Sequence, residues 1–177
     1  MSRVAVRYSK ALFETALQKN KLDVVLSDLH GVEDLAGENR QFAQLLQNPL
    51  IQVNRKLKII TGLFQGRVDD LTFSFLVLVT QKKRIDFLLE MITHFARRID
   101  DHNGILNGEL FSAAKISSEQ VEDIQSKIEI YTGKTVHLEC RIDANLIGGF
   151  VVKIRDTVID LSVNGQLEKL RNKLVFG

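Results

Sequence analysis

The chain has 177 residues, 45% of them hydrophobic and 26% charged, with a formal net charge of +2. That length holds one domain or two small ones. With Lys and Arg interleaved among Asp and Glu, so small a charge excess argues against a dedicated nucleic-acid binder, which clusters its cations on one face. The single cysteine, Cys140, excludes an internal disulfide, and no run approaches the ~20 apolar residues that span a bilayer.

The first segment, MSRVAVRYSKALFETALQ, lacks the continuous apolar core and small-residue cleavage site of a secretory signal and reads as a helix instead. Val4, Tyr8, Ala11, Leu12 and Thr15 form one stripe at helical spacing, with Phe13 and Leu17 to another side. Leu22, Val25, Leu29, Val32 and Ala36 predict a second helix. A short third, around Phe42, Leu45 and Leu46, stops at Asn48-Pro49, because a residue before proline tends to leave the helical region. Val53, Leu57, Ile60 and Phe64 predict a fourth, closed by Gly66. Asp69 or Asp70 can cap the fifth, Leu71 to Lys82, and Lys82-Lys83-Arg84 suits its C-terminal end. Ile85, Leu88, Ile92, Phe95 and Ile99 mark a sixth. Six helices with short links imply a compact bundle.

Asp100-Asp101-His102-Asn103-Gly104 is a polar, turn-forming break. It predicts two domains, 1–103 and 104–177. Beyond it, residues 105–114 read as extended. Ser117 and Gln120 form a capping box ahead of Val121, Ile124, Ile128 and Tyr131, and Gly133 ends that helix. Thr135 to Ile142 alternates strictly, a half-buried strand in which Cys140 is expected to face the core as a small apolar residue. Gly148-Gly149 permits a backbone bend. Phe150–Ile154 and Thr157–Leu161 then form a hairpin around Arg155-Asp156. Ser162 can cap a last helix with Val163, Leu167, Leu170 and Leu174 on one face, which the small sheet is expected to bury. The fold class is therefore α+β: an N-terminal six-helix bundle, then a β-α-β-β-β-α unit.

No catalytic constellation emerges. Gly133-Lys134-Thr135 resembles the tail of a phosphate-binding loop, but Ile128 stands where its first glycine belongs and a helix precedes it. His30, His94, His102 and His137 have no second ligand at metal spacing. Asp69-Asp70 and Asp100-Asp101 fit caps and turns, and Asp156 and Asp160 fit a turn and a local hydrogen bond. The chain is not expected to be an enzyme or to carry a cofactor or metal. The unusual feature is apolar surface. The fifth helix is apolar on nearly every side, either as a central core helix or as one wall of a groove for an amphipathic helix from another protein.

Three segments together carry a resemblance. Arg7-Tyr8-Ser9-Lys10-Ala11-Leu12-Phe13 resembles an Arg-Tyr-Ala-Lys-Ala-Leu-Phe start. Leu146-Ile147-Gly148-Gly149-Phe150 and Ile159-Asp160-Leu161-Ser162-Val163 resemble Leu-Ile-Gly-Gly-Phe and Ile-Asp-Gly-Ser-Val signatures, and Gln166 to Leu170 matches the helix that follows. These are the marks of the delta subunit of bacterial F-type ATP synthase, the counterpart of the mitochondrial oligomycin-sensitivity-conferring protein. Leu161 replaces the usual glycine and Asn164 the usual basic residue.

The resemblance implies a non-catalytic stator subunit of the peripheral stalk. It would link the alpha/beta headpiece to the b subunits so that rotor torque drives ATP synthesis. Its helical bundle would grip an alpha-subunit N-terminal helix, for which Tyr8, Ala11, Leu12 and Thr15 and, from the fifth helix, Leu71, Phe75 and Leu78 are the candidates. Its C-terminal domain would hold the b subunit, with Val175 and Phe176 as candidate contacts. Gly148, Gly149, Asp160 and Ser162 form the structural signature. The implied place is peripheral, on the cytoplasmic face of a bacterial inner membrane, without membrane insertion or nucleic acid. The competing reading, a basic nucleic-acid-binding protein with a helical accessory domain, predicts a one-sided basic stripe with exposed aromatics. The chain has no Trp and two Tyr.

Overall fold

The computed structural model describes residues 2–155 and 157–176, and only the backbone of Lys169, Leu170 and residues 172–176. The chain divides into two units, Met1–Ile99 and Asp100–Gly177. The first holds α1 (Arg3–Gln18), α2 (Leu22–Glu38), α3 (Arg40–Gln47), α4 (Val53–Phe64), α5 (Asp70–Gln81), a 3-10 turn (Ile85–Phe87) and most of α6 (Leu88–Asn103). Side chains close the helix starts. Ser2 accepts from the Val4 amide, Asn39 from Phe42 and Asp69 from Leu71, each satisfying an N–H that the helix leaves without a partner. The polar stretch expected to be a break continues α6 as far as Asn103. The turn is confined to Gly104, whose φ of 69° ends the helix.

The core of this unit corrects the first stripe. α1 buries Ala5, Ser9, Leu12 and Ala16, so of the stripe read over Val4, Tyr8, Ala11, Leu12 and Thr15 only Leu12 is in the core. The buried face is rotated by about a quarter turn from the expected one. The physical reason is size. Small residues let α1 approach its neighbours closely, and Ser9 satisfies its hydroxyl by donating to the Val6 carbonyl at 3.0 Å. A search for large apolar residues misses such a face. The other helices follow their periodicity: Val25, Leu29, Val32 and Ala36 on α2, Ile60 and Phe64 on α4, and Ile92, Phe95 and Ile99 on α6 are buried.

Polar ties also hold helix ends in this bundle. The Lys56 ammonium, buried, donates to the Leu46 carbonyl at 3.0 Å and so closes the C-terminal end of α3. The Asp28 carboxylate of α2 accepts from the Thr72 hydroxyl and the Asp69 amide, both at 2.8 Å, and thereby holds the start of α5.

The second unit holds β1 (Ile105–Ser112), α7 (Ser118–Thr132), β2 (Thr135–Ile142), β3 (Phe150–Ile154), β4 (Thr157–Asp160) and α8 (Val163–Phe176). The sheet order is β2-β1-β3-β4. β1 and β2 are parallel, with α7 as the crossover that such a pair requires, and the other two pairings are antiparallel. Both halves of the Ser117–Gln120 capping box form, and Gly133 ends α7 at φ 66°. The register aligns Leu106 with Val136 and Leu110 with Val152, and these make the small core with Ile128 and Ile154. Arg155, at φ 54°, turns the β3–β4 hairpin; Asp156 lies outside the described residues.

Two expectations fail here. Cys140 is exposed. β2 is an edge strand, and α7 is bonded to its start, where the Val136 amide donates to Glu129 and the Val136 carbonyl accepts from Gln125. The far end of β2 is left uncovered, so alternation alone does not bury Cys140. The sheet also does not bury Leu167, which is 57% exposed. Leu170 and Leu174, expected on the same face, lie outside the described side chains.

Candidate functional site

The seven residues expected to receive a helix separate by depth. On α1, Leu12 is 4% exposed and belongs to the core. Tyr8 and Thr15 are half-buried and Ala11 is exposed, one helical step away from that core face. The Thr15 hydroxyl donates to the Ala11 carbonyl at 2.8 Å, so it offers no free donor. On α5, Phe75 is 7% exposed and packs in the core, Leu71 is half-buried, and Leu78 is 44% exposed. Each helix thus pairs a buried anchor with exposed apolar neighbours, and α2 packs against both. Beside this flank, with Arg7 one turn from Ala11, Arg3, Arg7 and Lys10 surround Val6 and are solvent-exposed.

The electrostatics near α5 are structural. The Lys21 ammonium lies 2.6 Å from an Asp69 oxygen. That hydrogen bond, helped by the Leu71 amide, holds the Asp69 carboxyl below its ordinary range and raises Lys21 above its own. Burial pushes Lys56 down, partly offset by Asp86.

In the second unit the four signature residues form one junction. A side chain on Gly149, at φ 77°, would meet the Leu161 carbonyl oxygen at 2.5 Å, and one on Gly148 would meet Val163 at 3.1 Å. The Val163 amide donates to the Gly148 carbonyl at 2.9 Å. The Asp160 carboxylate accepts from the Ser162 amide, and the Ser162 hydroxyl from the Gly165 amide. Gly165 leaves room for that carboxylate, since a β-carbon there would sit 2.6 Å from it. Asp160 and Ser162 therefore both serve the start of α8, where a helix N-terminus favours negative charge. The side chains of Val175 and Phe176 lie outside the described residues.

The sequence reading missed a trough of about 690 Å³ beside α7, lined by Ile116, Ile124, Ile147, Phe150, Ile159 and Leu161 among others. Its residues come from four separate stretches of chain, so no local pattern announces it. The exposed Ile147, next to the glycine pair, was the available signal. Among the described residues no three His, Cys, Asp or Glu side chains converge to hold a metal, and no helix is long and apolar enough to cross a membrane.

A family model described as ATP synthase delta (OSCP) subunit matches residues 4–174. The ATP synthase subunit delta of Chlorobaculum tepidum is 40% identical over 169 residues, covering 96% of this chain and 93% of the relative. That of Chloroherpeton thalassium is 33% identical over 177 residues, covering 100% and 97%. Among solved structures, a chain of the Toxoplasma gondii mitochondrial ATP synthase hexamer superposes with a TM-score of 0.76 at 23% identity, covering 99% of both chains. That likeness extends the six helices, the mixed sheet and their order to a remote relative.

Proposed function

The chain belongs to the ATP synthase delta (OSCP) subunit family and is a non-catalytic peripheral-stalk subunit of F-type ATP synthase, and on that premise we propose that its two units divide the work of the stalk. The first unit takes the N-terminal helix of an alpha subunit on the outward flanks of α1 and α5. The second takes the C-terminal region of b, with Val175 and Phe176 as contacts. Held at both ends, the headpiece cannot follow the rotor, and torque goes into ATP synthesis. The subunit works peripherally, on the cytoplasmic side of the membrane.

The observation that carries the alpha contact is the depth pattern on α1. Ala11 is exposed beside buried Leu12 and between half-buried Tyr8 and Thr15. A small exposed residue between two apolar shoulders admits close approach of another helix, whose apolar face would dock there. Titrating the full chain separately with an alpha N-terminal peptide and a soluble b fragment tests the division. Each partner should bind while the other is present. Deleting residues 175–177 should weaken b and leave alpha unchanged. Competition between the two partners, or loss of both on the deletion, would refute the division.

A further inference from the structure

β2 ends the sheet order β2-β1-β3-β4. One side of it pairs with β1, and the other side presents a row of backbone N–H and C=O groups that has no strand beside it among the described residues. From His137 to Ile142 every side chain is exposed except the half-buried Leu138. Alternation puts Leu138, Cys140 and Ile142 on the face of buried Val136, and His137, Glu139 and Arg141 on the other. The ladder runs one residue past the strand, since the Asp143 amide donates to the Ser112 carbonyl at 2.9 Å. Charges on an edge strand ordinarily keep other strands away, but here their order is self-complementary. In an antiparallel pair centred on Cys140, Glu139 stands opposite Arg141 of a second copy, His137 opposite Asp143, and Leu138 opposite Ile142. Moving the centre to Glu139 or to Arg141 sets that charge against itself, and like charges directly opposite are destabilising. A shift that pairs odd positions with even ones turns the apolar face of one copy onto the polar face of the other.

We propose that the free chain pairs with a second copy of itself through β2, antiparallel and centred on Cys140, so that two sheets become one. Leu138, Cys140 and Ile142 of both copies then make one apolar strip on the face of Val136. On the other face Glu139 and Arg141 form two cross-copy pairs. Within one chain Arg141 already lies 3.0 Å from Glu109 and 3.2 Å from Glu139. Those side chains are largely in water, and surface pairs of this kind are weak enough to be exchanged. The occupant is a second copy because β2 is its own charge complement in this register and repels itself in the neighbouring ones. The inference goes beyond the peripheral-stalk reading and does not depend on it.

The test weighs the full chain by sedimentation equilibrium up to high micromolar concentration, because one strand pair is a small interface and its dimer is weak. The mass should climb from 20.1 kDa toward twice that value. The register also sets the two Cys140 α-carbons about 4.5–5.5 Å apart, a separation that a disulfide spans. Dioxygen with a copper–phenanthroline catalyst takes two electrons and two protons from the thiol pair and leaves as hydrogen peroxide. It should therefore link the wild-type chains through Cys140 in step with the dimer fraction. Glu139→Arg and Arg141→Glu should each weaken self-association tenfold or more with unchanged melting, since both side chains are exposed. The combined Glu139→Arg/Arg141→Glu exchange should restore it. A chain that stays monomeric at every concentration overturns the proposal. A dimer indifferent to both single changes places the contact elsewhere and overturns it as well. A dimer that Cys140 does not link refutes the register. Loss in the single variants with recovery in the combined exchange upholds it.

Discussion

Gly149 and Leu161 meet through backbone: a β-carbon at Gly149 would stand 2.5 Å from the Leu161 carbonyl oxygen. The Leu161 amide donates to the Phe150 carbonyl at 3.0 Å, so the loop and the β4–α8 link hold each other on both sides of Gly149. This contact therefore places no demand on the side chain at position 161. The contact uses the main chain of residue 161, and its side chain is 45% exposed.

Gly149→Ala should therefore destabilise the second unit more than an ordinary glycine replacement. A left-handed conformation costs an L-residue about 1–2 kcal/mol, and the clash adds to it. Gly66→Ala is the control, because Gly66 has φ 72° and a β-carbon there would meet nothing within 4 Å. Thermal melting of both variants checks the difference. Equal losses would remove the close approach from the account.

The Lys21–Asp69 pair predicts an acid-side loss of stability. The hydrogen bond from Lys21 and then that from the Leu71 amide lower the Asp69 pKa from 3.8. The folded state therefore favours the carboxylate, and its contribution is present above that value and lost as pH falls below it. Lys21 is raised from 10.5 by the same bond, so its contribution is present below that value and fades as pH climbs above it. Asp69→Asn keeps a good cap but not the charge. Its denaturation midpoint should change less with acidification than that of the wild type.

Lys56 has the opposite sign on the alkaline side. Burial lowers its pKa from 10.5, so between the folded value and 10.5 the unfolded chain binds more protons and stability rises with pH. Lys56→Met keeps the buried stem but loses the donor to Leu46, and it should show no such rise. Removing the donor alone leaves the Leu46 carbonyl without its partner, so a loss of about 1–3 kcal/mol at neutral pH is expected, read from urea midpoints.

Ala11→Asp should leave the fold intact, because Ala11 is exposed, and weaken binding of an alpha N-terminal peptide at least a hundredfold, about 3 kcal/mol, by placing a charge in a dry contact. Leu12→Asp, one residue on and in the core, should unfold the first unit. Calorimetry of the peptide against both variants, with melting curves beside it, checks the pair. Undiminished binding by a folded Ala11→Asp chain would move the groove elsewhere.

The elements and their order were legible in sequence, because helical and strand periods, the Ser117–Gln120 capping box and the Gly133 stop are local features that local physics decides. The exposed apolar flank of α1 was legible in part. Tyr8, Ala11 and Thr15 lie on it, but the core face at Ala5, Ser9 and Ala16 was not read, since small residues bury little area and carry a weak hydropathy signal. Tertiary structure alone decided the fate of Cys140 and Leu167. Both sit in good periodic patterns, yet burial needs a covering layer as well as a pattern. α7 is tied to the start of β2 and Leu167 of α8 stays exposed, so the sequence determined which positions are apolar, and only the placement of the covering elements decided which of those positions are buried.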